Sequence, residues 1–240
     1  MRGLGGPEHL VNMPRPRRFV IPGLPHHVTQ RGNYRQQTFF QDADYLLYLR
    51  LLRQFSRQLG VTIQAYCLMP NHVHLILTPQ HEDSVPQMLQ RLHSAYARDL
   101  HLHHERAGHL WQGRYYSTPM DDVHFWNAMV YVEQNPQRAR LVQRSWDWRW
   151  SSAAAHIRGQ DDGLLDLSDW RLRYTSQTWK QSLELGLGDS NWIERIRDAT
   201  GKGWPLGSDS FLEGLQQSLG RPSRPRSPGR KLGFKVSDTI

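Results

Sequence analysis

A single cysteine, Cys67, stands in 240 residues, which excludes a disulfide scaffold and any zinc site built from several thiolates. Lysine is scarce as well: Lys180 and Lys202 are the only two up to position 202, so nearly all of the 30 cations are arginine. No stretch approaches the roughly 18 apolar residues that a membrane-spanning helix needs. The opening segment, MRGLGGPEHLVNMPRPRRF, has no apolar h-region, so a secretory signal is not expected. Apolar residues make up 38 %, below the usual ~45–50 %, so a core is expected, but not through the whole chain. No Walker motif, no RNP aromatic motif and no internal repeat is found, which speaks against nucleotide hydrolysis and against an RRM-type RNA-binding module. These features together fit a cytoplasmic protein.

What is abundant is positive charge and aromatic surface. The formal charge is +8 with a pI near 9.9, which points to a polyanionic partner. Guanidinium forks bind phosphate bidentately and stack on bases, and nine Trp, nine Tyr and seven Phe add stacking surface. The bland alternative is an arginine-biased composition on an ordinary solvated surface.

Residues 1–17 read as a loose arm, 18–155 as the main domain, 156–220 as a mostly helical extension and 221–240 as a disordered basic tail. A strand is expected over 26–30, followed by a turn at Arg31-Gly32-Asn33. The spacing predicts a helix over 42–59, capped by Asp42, with Leu46, Leu49, Leu52 (or Phe55) and Leu59 facing inward. Residues 61–68 and 72–78 read as a hairpin around Met69-Pro70-Asn71. A long helix follows to about 105, capped by Ser84. A fourth strand lies within 110–119, and a helix capped by Asp121 or Asp122 ends at Asn135-Pro136. The order β-α-β-β-α-β-α is α+β, a ferredoxin-like split βαβ plan with one added helix. Further on, Trp146, Trp148 and Trp150 fall on one side of an extended segment, where they either clamp the following chain onto the core or stack bases. Helices are expected over 176–186, 190–200 and 208–219, the last with Ser210 and Glu213 as a capping box.

The chemistry concentrates in two places. In a strand, His72 and His74 point to one face while Val73, Leu75 and Leu77 point to the other, and two imidazoles so placed can share a divalent cation. In the largely apolar 122–135 helix, Asn127, Tyr131 and Asn135 make a polar line at four-residue spacing, with a phenol one turn from an amide oxygen. Two imidazoles and one amide oxygen leave positions on a metal open for the oxygens of a phosphodiester, with the metal as Lewis acid and template.

Four blocks carry a family resemblance: His27-Val28-Thr29-Gln30-Arg31-Gly32-Asn33; Cys67-Leu68-Met69-Pro70-Asn71-His72-Val73-His74-Leu75; Gly108-His109-Leu110-Trp111-Gln112-Gly113-Arg114; and Tyr131-Val132-Glu133-Gln134-Asn135-Pro136-Gln137-Arg138-Ala139. In this order, over about residues 14–155, the chain resembles the single-tyrosine HUH transposases (IS200-like), and within them the REP-associated tyrosine transposases. The resemblance implies a ferredoxin-like endonuclease that acts on single-stranded or hairpin DNA with Mg²⁺ or Mn²⁺, working near the nucleoid. Residue by residue, His72 and His74 resemble the metal ligands and Tyr131 the nucleophile. Asn135 resembles the third ligand, where relatives often carry Gln, and Gln134 is its rival. The implied step is transesterification to a 5′-phosphotyrosine. Members of the wider class work as dimers, which adds a homodimer to the expected partners. Arg31, Arg35, Arg114 and Arg138 lie in the matching blocks as candidate phosphate contacts.

Alternatives stay open at this level. Tyr115 and Tyr116 are rival nucleophiles. One of His26 and His27 faces the metal site, or both pack. His101, His103, His104 and His109 read as surface. The other functional classes are a binding-only regulator of the same fold and a metal-dependent nuclease that uses water.

Overall fold

The computed structural model describes residues 18–186 and 190–224; the arm over 1–17 and most of the basic tail lie outside the described residues. The chain runs β1 (His26–Arg31), α1 (Asp42–Gln58), β2 (Val61–Met69), β3 (His72–Pro79), α2 (Ser84–His103), β4 (Tyr116–Pro119) and α3 (Asp122–Glu133). The four strands form one antiparallel sheet in the order β2-β3-β1-β4. This is the expected ferredoxin-like split βαβ arrangement.

Strand alternation divides the molecule into two cores. Val28, Val73, Leu75, Leu77 and Leu68 pack on one face against α1 and α2. Ala65, Cys67, Met69 and Ile76 pack on the other against α3. The helix α3 is apolar nearly all round, and nine of its residues are buried, as suits a helix covered on every side. Its second cover is the C-terminal part: α4 (Asn135–Arg138), α5 (Ala153–Arg158), α6 (Ser168–Arg173), α7 (Ser176–Leu185), α8 (Ser190–Lys202) and α9 (Asp209–Leu219). Trp170, Trp179, Leu183, Ile196 and Ala199 join Phe125, Met129 and Val132 in one cluster, so this core continues past residue 155.

Several local expectations are corrected. The α1 stripe holds at Leu52, which is buried, and at Leu49, Phe55 and Leu59, which pack on the core, but Leu46 is 57 % exposed and Tyr45, Tyr48 and Leu51 are buried instead. Phe39, Tyr48 and Tyr96 pack their rings together there, and rings bury more area per residue than leucine. Gln41, not Asp42, caps α1, because the Asp44 carboxylate reaches back to the N–H groups of Phe40 and Gln41. Likewise Asp83 rather than Ser84 stands at the start of α2. The α9 cap is Ser208, which accepts from Phe211 N–H, so the Ser210–Glu213 box does not form. Residues Ser145–Asp147 turn as a 3-10 helix, which breaks the tryptophan row. Trp150 stacks on Tyr45 at 4.5 Å, Trp148 donates to the Leu68 carbonyl, and Trp146 lies under Arg144 and Lys180. Trp148 and Trp150 thereby hold the segment to the core. The helices α5 and α6 were not legible in the sequence.

Candidate active site

The register of β1 against β3 pairs Thr29 with His74 and Arg31 with His72. Opposed residues in an antiparallel pair share a face, so His27, Thr29 and Arg31 join the two histidines on the α3 side of the sheet. Tyr131 descends onto them from α3. Its ring stands edge-on to His27 and to His74, with centroids 5.8 Å away in each case. The His72 and His74 centroids are 4.9 Å apart. These groups line a cavity of about 300 Å³ together with Arg31, Arg35 and Tyr116, and with Arg197 and Thr200 from α8.

Burial sets the charge state of the imidazoles. It pushes His27 down to about 3. It pushes His72 down to about 4, with Arg31 adding to the effect. Burial also holds His74 well below the ordinary value, helped by His72, His27 and Arg138. All three rings are therefore neutral near pH 7, with a lone pair on one nitrogen each. His72 donates from Nδ1 to Oδ1 of Asn71 over 2.6 Å, which leaves the lone pair on Nε2.

The rim is strained. Tyr34 and Arg35 are consecutive non-glycine residues at φ +50° and +59°, a conformation that L side chains seldom adopt. Asn71 Nδ2 donates to the Arg35 carbonyl and holds this turn against the hairpin that carries His72. Gly32 is required beside it, since a Cβ there would stand 2.2 Å from the Gln36 oxygen.

The structure brings some sequence candidates together and leaves others apart. His72, His74, Tyr131, Arg31 and Arg35 meet in the cavity. Asn135 does not join them: its side-chain amide donates to the carbonyls of Tyr131 and Val132. The rival Gln134 donates instead to Leu183. Arg138 lies 4.3 Å over the Tyr131 ring and donates to the Tyr131 carbonyl. Its Nε and Nη1 are buried with no hydrogen-bond partner among the described residues, and burial lowers its affinity for the proton while Tyr131 restores part of it. Arg114 belongs to an adjoining groove with Arg18, Lys202 and Trp204. Of the rival phenols, Tyr116 reaches the cavity and Tyr115 does not. His26 is a packing residue, bonded through both ring nitrogens to the nearby backbone at Ile21 and Leu24.

A family model described as Transposase IS200 like matches residues 9–135, more than half of the chain. The chain belongs to the IS200-like transposase family. A solved structure, of a REP-associated tyrosine transposase bound to a REP hairpin, is similar at 20 % identity and a TM-score of 0.53. That match covers 64 % of this chain and 92 % of that one, and establishes the likeness of fold. A Deinococcus radiodurans R1 protein, named as a candidate transposase, is 28 % identical over 51 % of this chain and 97 % of its own, with a TM-score of 0.36. No curated protein matches. In this IS200-like transposase His72, His74 and Tyr131 lie inside the matched span, whereas Arg138, Arg197 and Thr200 come from beyond it. Sequence reasoning missed Arg197 and Thr200, which stand in an amphipathic helix with no local mark of function. It left His27 undecided because the β1–β3 register was not known.

Proposed function

We propose that this transposase belongs to the REP-associated tyrosine branch and cuts and rejoins single-stranded DNA at hairpin-forming repeats. The observation that carries this reading is the Tyr131 ring set against both His27 and His74 in one arginine-lined cleft. The phenol oxygen of Tyr131 bonds to phosphorus as the bond from phosphorus to the 3′ oxygen breaks. The phenol loses its proton, the departing oxygen gains one, and a 5′-phosphotyrosine and a free 3′-OH result. A second 3′-OH reverses the exchange and joins strands. One ester replaces another, so no nucleotide need be hydrolysed.

A phenol with an ordinary pKa of ~10 needs help to react near pH 7. Arg138 stacks 4.3 Å over the Tyr131 ring and donates to the Tyr131 carbonyl, which holds the ring in place over the sheet. Arg31, Arg35 and Arg197 suit the phosphates that flank the scissile bond. The cavity continues beside β4 into the groove with Arg18, Arg114, Lys202 and Trp204, a path with the cations and ring that an extended strand requires.

The donor set fits Mg²⁺ or Mn²⁺ in part: two neutral imidazoles, His72 with Nδ1 already committed to Asn71. No group of three or more His, Cys, Asp or Glu that could hold a metal occurs among the described residues, so other positions would fall to substrate oxygens or water. When bound, the cation would supply Lewis acidity and a template for the phosphodiester. One chain contributes both the imidazole pair and the phenol, so this reading does not require a homodimer.

The test is incubation with a single-stranded hairpin DNA and Mn²⁺, followed by a denaturing gel. A covalent protein–DNA band is expected, lost in Tyr131→Phe and kept in Tyr116→Phe. Cleavage without the band would assign a water nuclease, and binding without cleavage a regulator; either result overturns the proposal.

A further inference from the structure

His27 has both ring nitrogens engaged. Its Nε2 lies 2.9 Å from Nδ1 of His74, and its Nδ1 lies 2.9 Å from Oγ1 of Thr200, 173 residues further along the chain. The His27 and His74 planes differ by only 6°. All three side chains are buried, with Thr200 the most exposed at 7 %. The geometry matches that of His72, whose Nδ1 is taken by Asn71. Each histidine of the pair thus has its Nδ1 held by another side chain, the preceding Asn71 for His72 and His27 of β1 for His74.

A row of two neutral imidazoles and a hydroxyl can be ordered in two directions. In one, His74 Nδ1 donates to His27 Nε2, His27 Nδ1 donates to Thr200 Oγ1, and the lone pair of His74 sits on Nε2. In the other, Thr200 donates to His27, His27 donates to His74, and Nε2 of His74 carries a hydrogen and cannot ligate. Only the first direction makes His74 equivalent to His72.

We propose that His27 and Thr200 are positioning residues that hold His74 in its Nδ1–H tautomer and so set the affinity of the cleft for a divalent cation. The inference rests on the reading of His72 and His74 as ligands. It adds that α8, outside the span matched by the family model, is part of the cation site: its Thr200 ends the relay. Ligand histidines deprived of such a partner typically bind metal 10–100-fold more weakly.

The test is titration of the full chain with Mn²⁺ alone, without DNA, followed by electron paramagnetic resonance of the free ion. His27→Leu is expected to weaken binding about 10–100-fold. His27→Gln, which keeps an acceptor for His74, recovers most of it, and Thr200→Val falls between. Nitrogen-15 NMR should show His74 as the Nδ1–H tautomer in the parent and a mixture in His27→Leu. Parent-like binding by His27→Leu overturns the relay, as does His27→Gln binding as weakly as His27→Leu. If His27→Leu does not fold, Thr200→Val decides: unchanged affinity and an unchanged His74 tautomer overturn it. A parent chain that binds no Mn²⁺ sinks the ligand reading, and the relay with it. Binding that His72→Ala removes and His27→Leu spares sinks the relay alone.

Discussion

Two positions after the candidate nucleophile, Glu133 has no exposed surface. Its carboxylate accepts from Ser152 Oγ and His156 Nδ1 at 2.5 Å and from Trp179 Nε1 at 2.9 Å. This one side chain ties the end of α3 to α5 and α7. A buried acceptor serving three donors is costly to delete, because each donor is left without solvent. Glu133→Ala is expected to destabilise the fold by about 3–5 kcal/mol, measured by urea unfolding; a loss below about 1 kcal/mol would refute this role. At this scale the site was legible where spacing is local. His72 and His74 share a strand face at i and i+2, and Tyr131 sits on a readable helix. Asn135 stands one turn from Tyr131, as the spacing predicts, but outside the lining of the cleft. Pro136 has no N–H to give to the Val132 carbonyl, and Asn135 Nδ2 donates to that carbonyl and to Tyr131's. Glu133 has no such signal, because its partners arrive from elements that the sequence did not link to α3.

Among the elements, α3 matters most, since it aims Tyr131 at the sheet. Its start is fastened by Asp121, which accepts from His124 N–H as the cap and from Ser208 N–H at the entry to α9. Burial alone would raise its carboxyl pKa, but those two N–H groups and the His124 ring hold it below the usual range. Asp121→Ala should cost about 1–2 kcal/mol, the upper end of an N-cap loss, because it frees α9 as well. Thermal melting of Asp121→Ala beside Asp121→Asn checks this, and a smaller loss is expected from Asn, which also caps. The cap was readable because Asp121 stands before an apolar run. In α1, Leu49, Leu52, Phe55 and Leu59 face the core as the pattern predicts; Leu46 does not, because Tyr45 and Tyr48 take the inner side of that turn with the ring cluster around Phe39 and Tyr96.

For the molecule as a whole, stability should depend on pH through histidines remote from the cleft chemistry. Burial pushes His26 down to about 4 and His93 down to about 3. Both are neutral when folded, yet the unfolded chain binds their protons near pH 6.5. Their contribution is therefore complete above about pH 6.5 and is lost as pH falls toward 4. Between pH 7.5 and 5.5 these two groups should remove about 2–3 kcal/mol in all. Denaturant midpoints measured across that range test the sign: stability that rises on acidification contradicts the assignment. No helix among the described residues is long and apolar enough to cross a membrane.

The order of strands and helices from β1 to α3, the two-faced alternation of β3 and the positions of His72, His74 and Tyr131 follow from local pattern, since periodicity and turn chemistry act over a few residues. What only the folded chain decided was company: which side chains share the phenol's cleft, that Asn135 does not line it, and that Thr200 and Arg197 arrive from α8. Those meetings depend on strand register and on how the C-terminal helices pack over α3. Both are fixed by summed burial across the molecule rather than by any neighbouring residues in the chain.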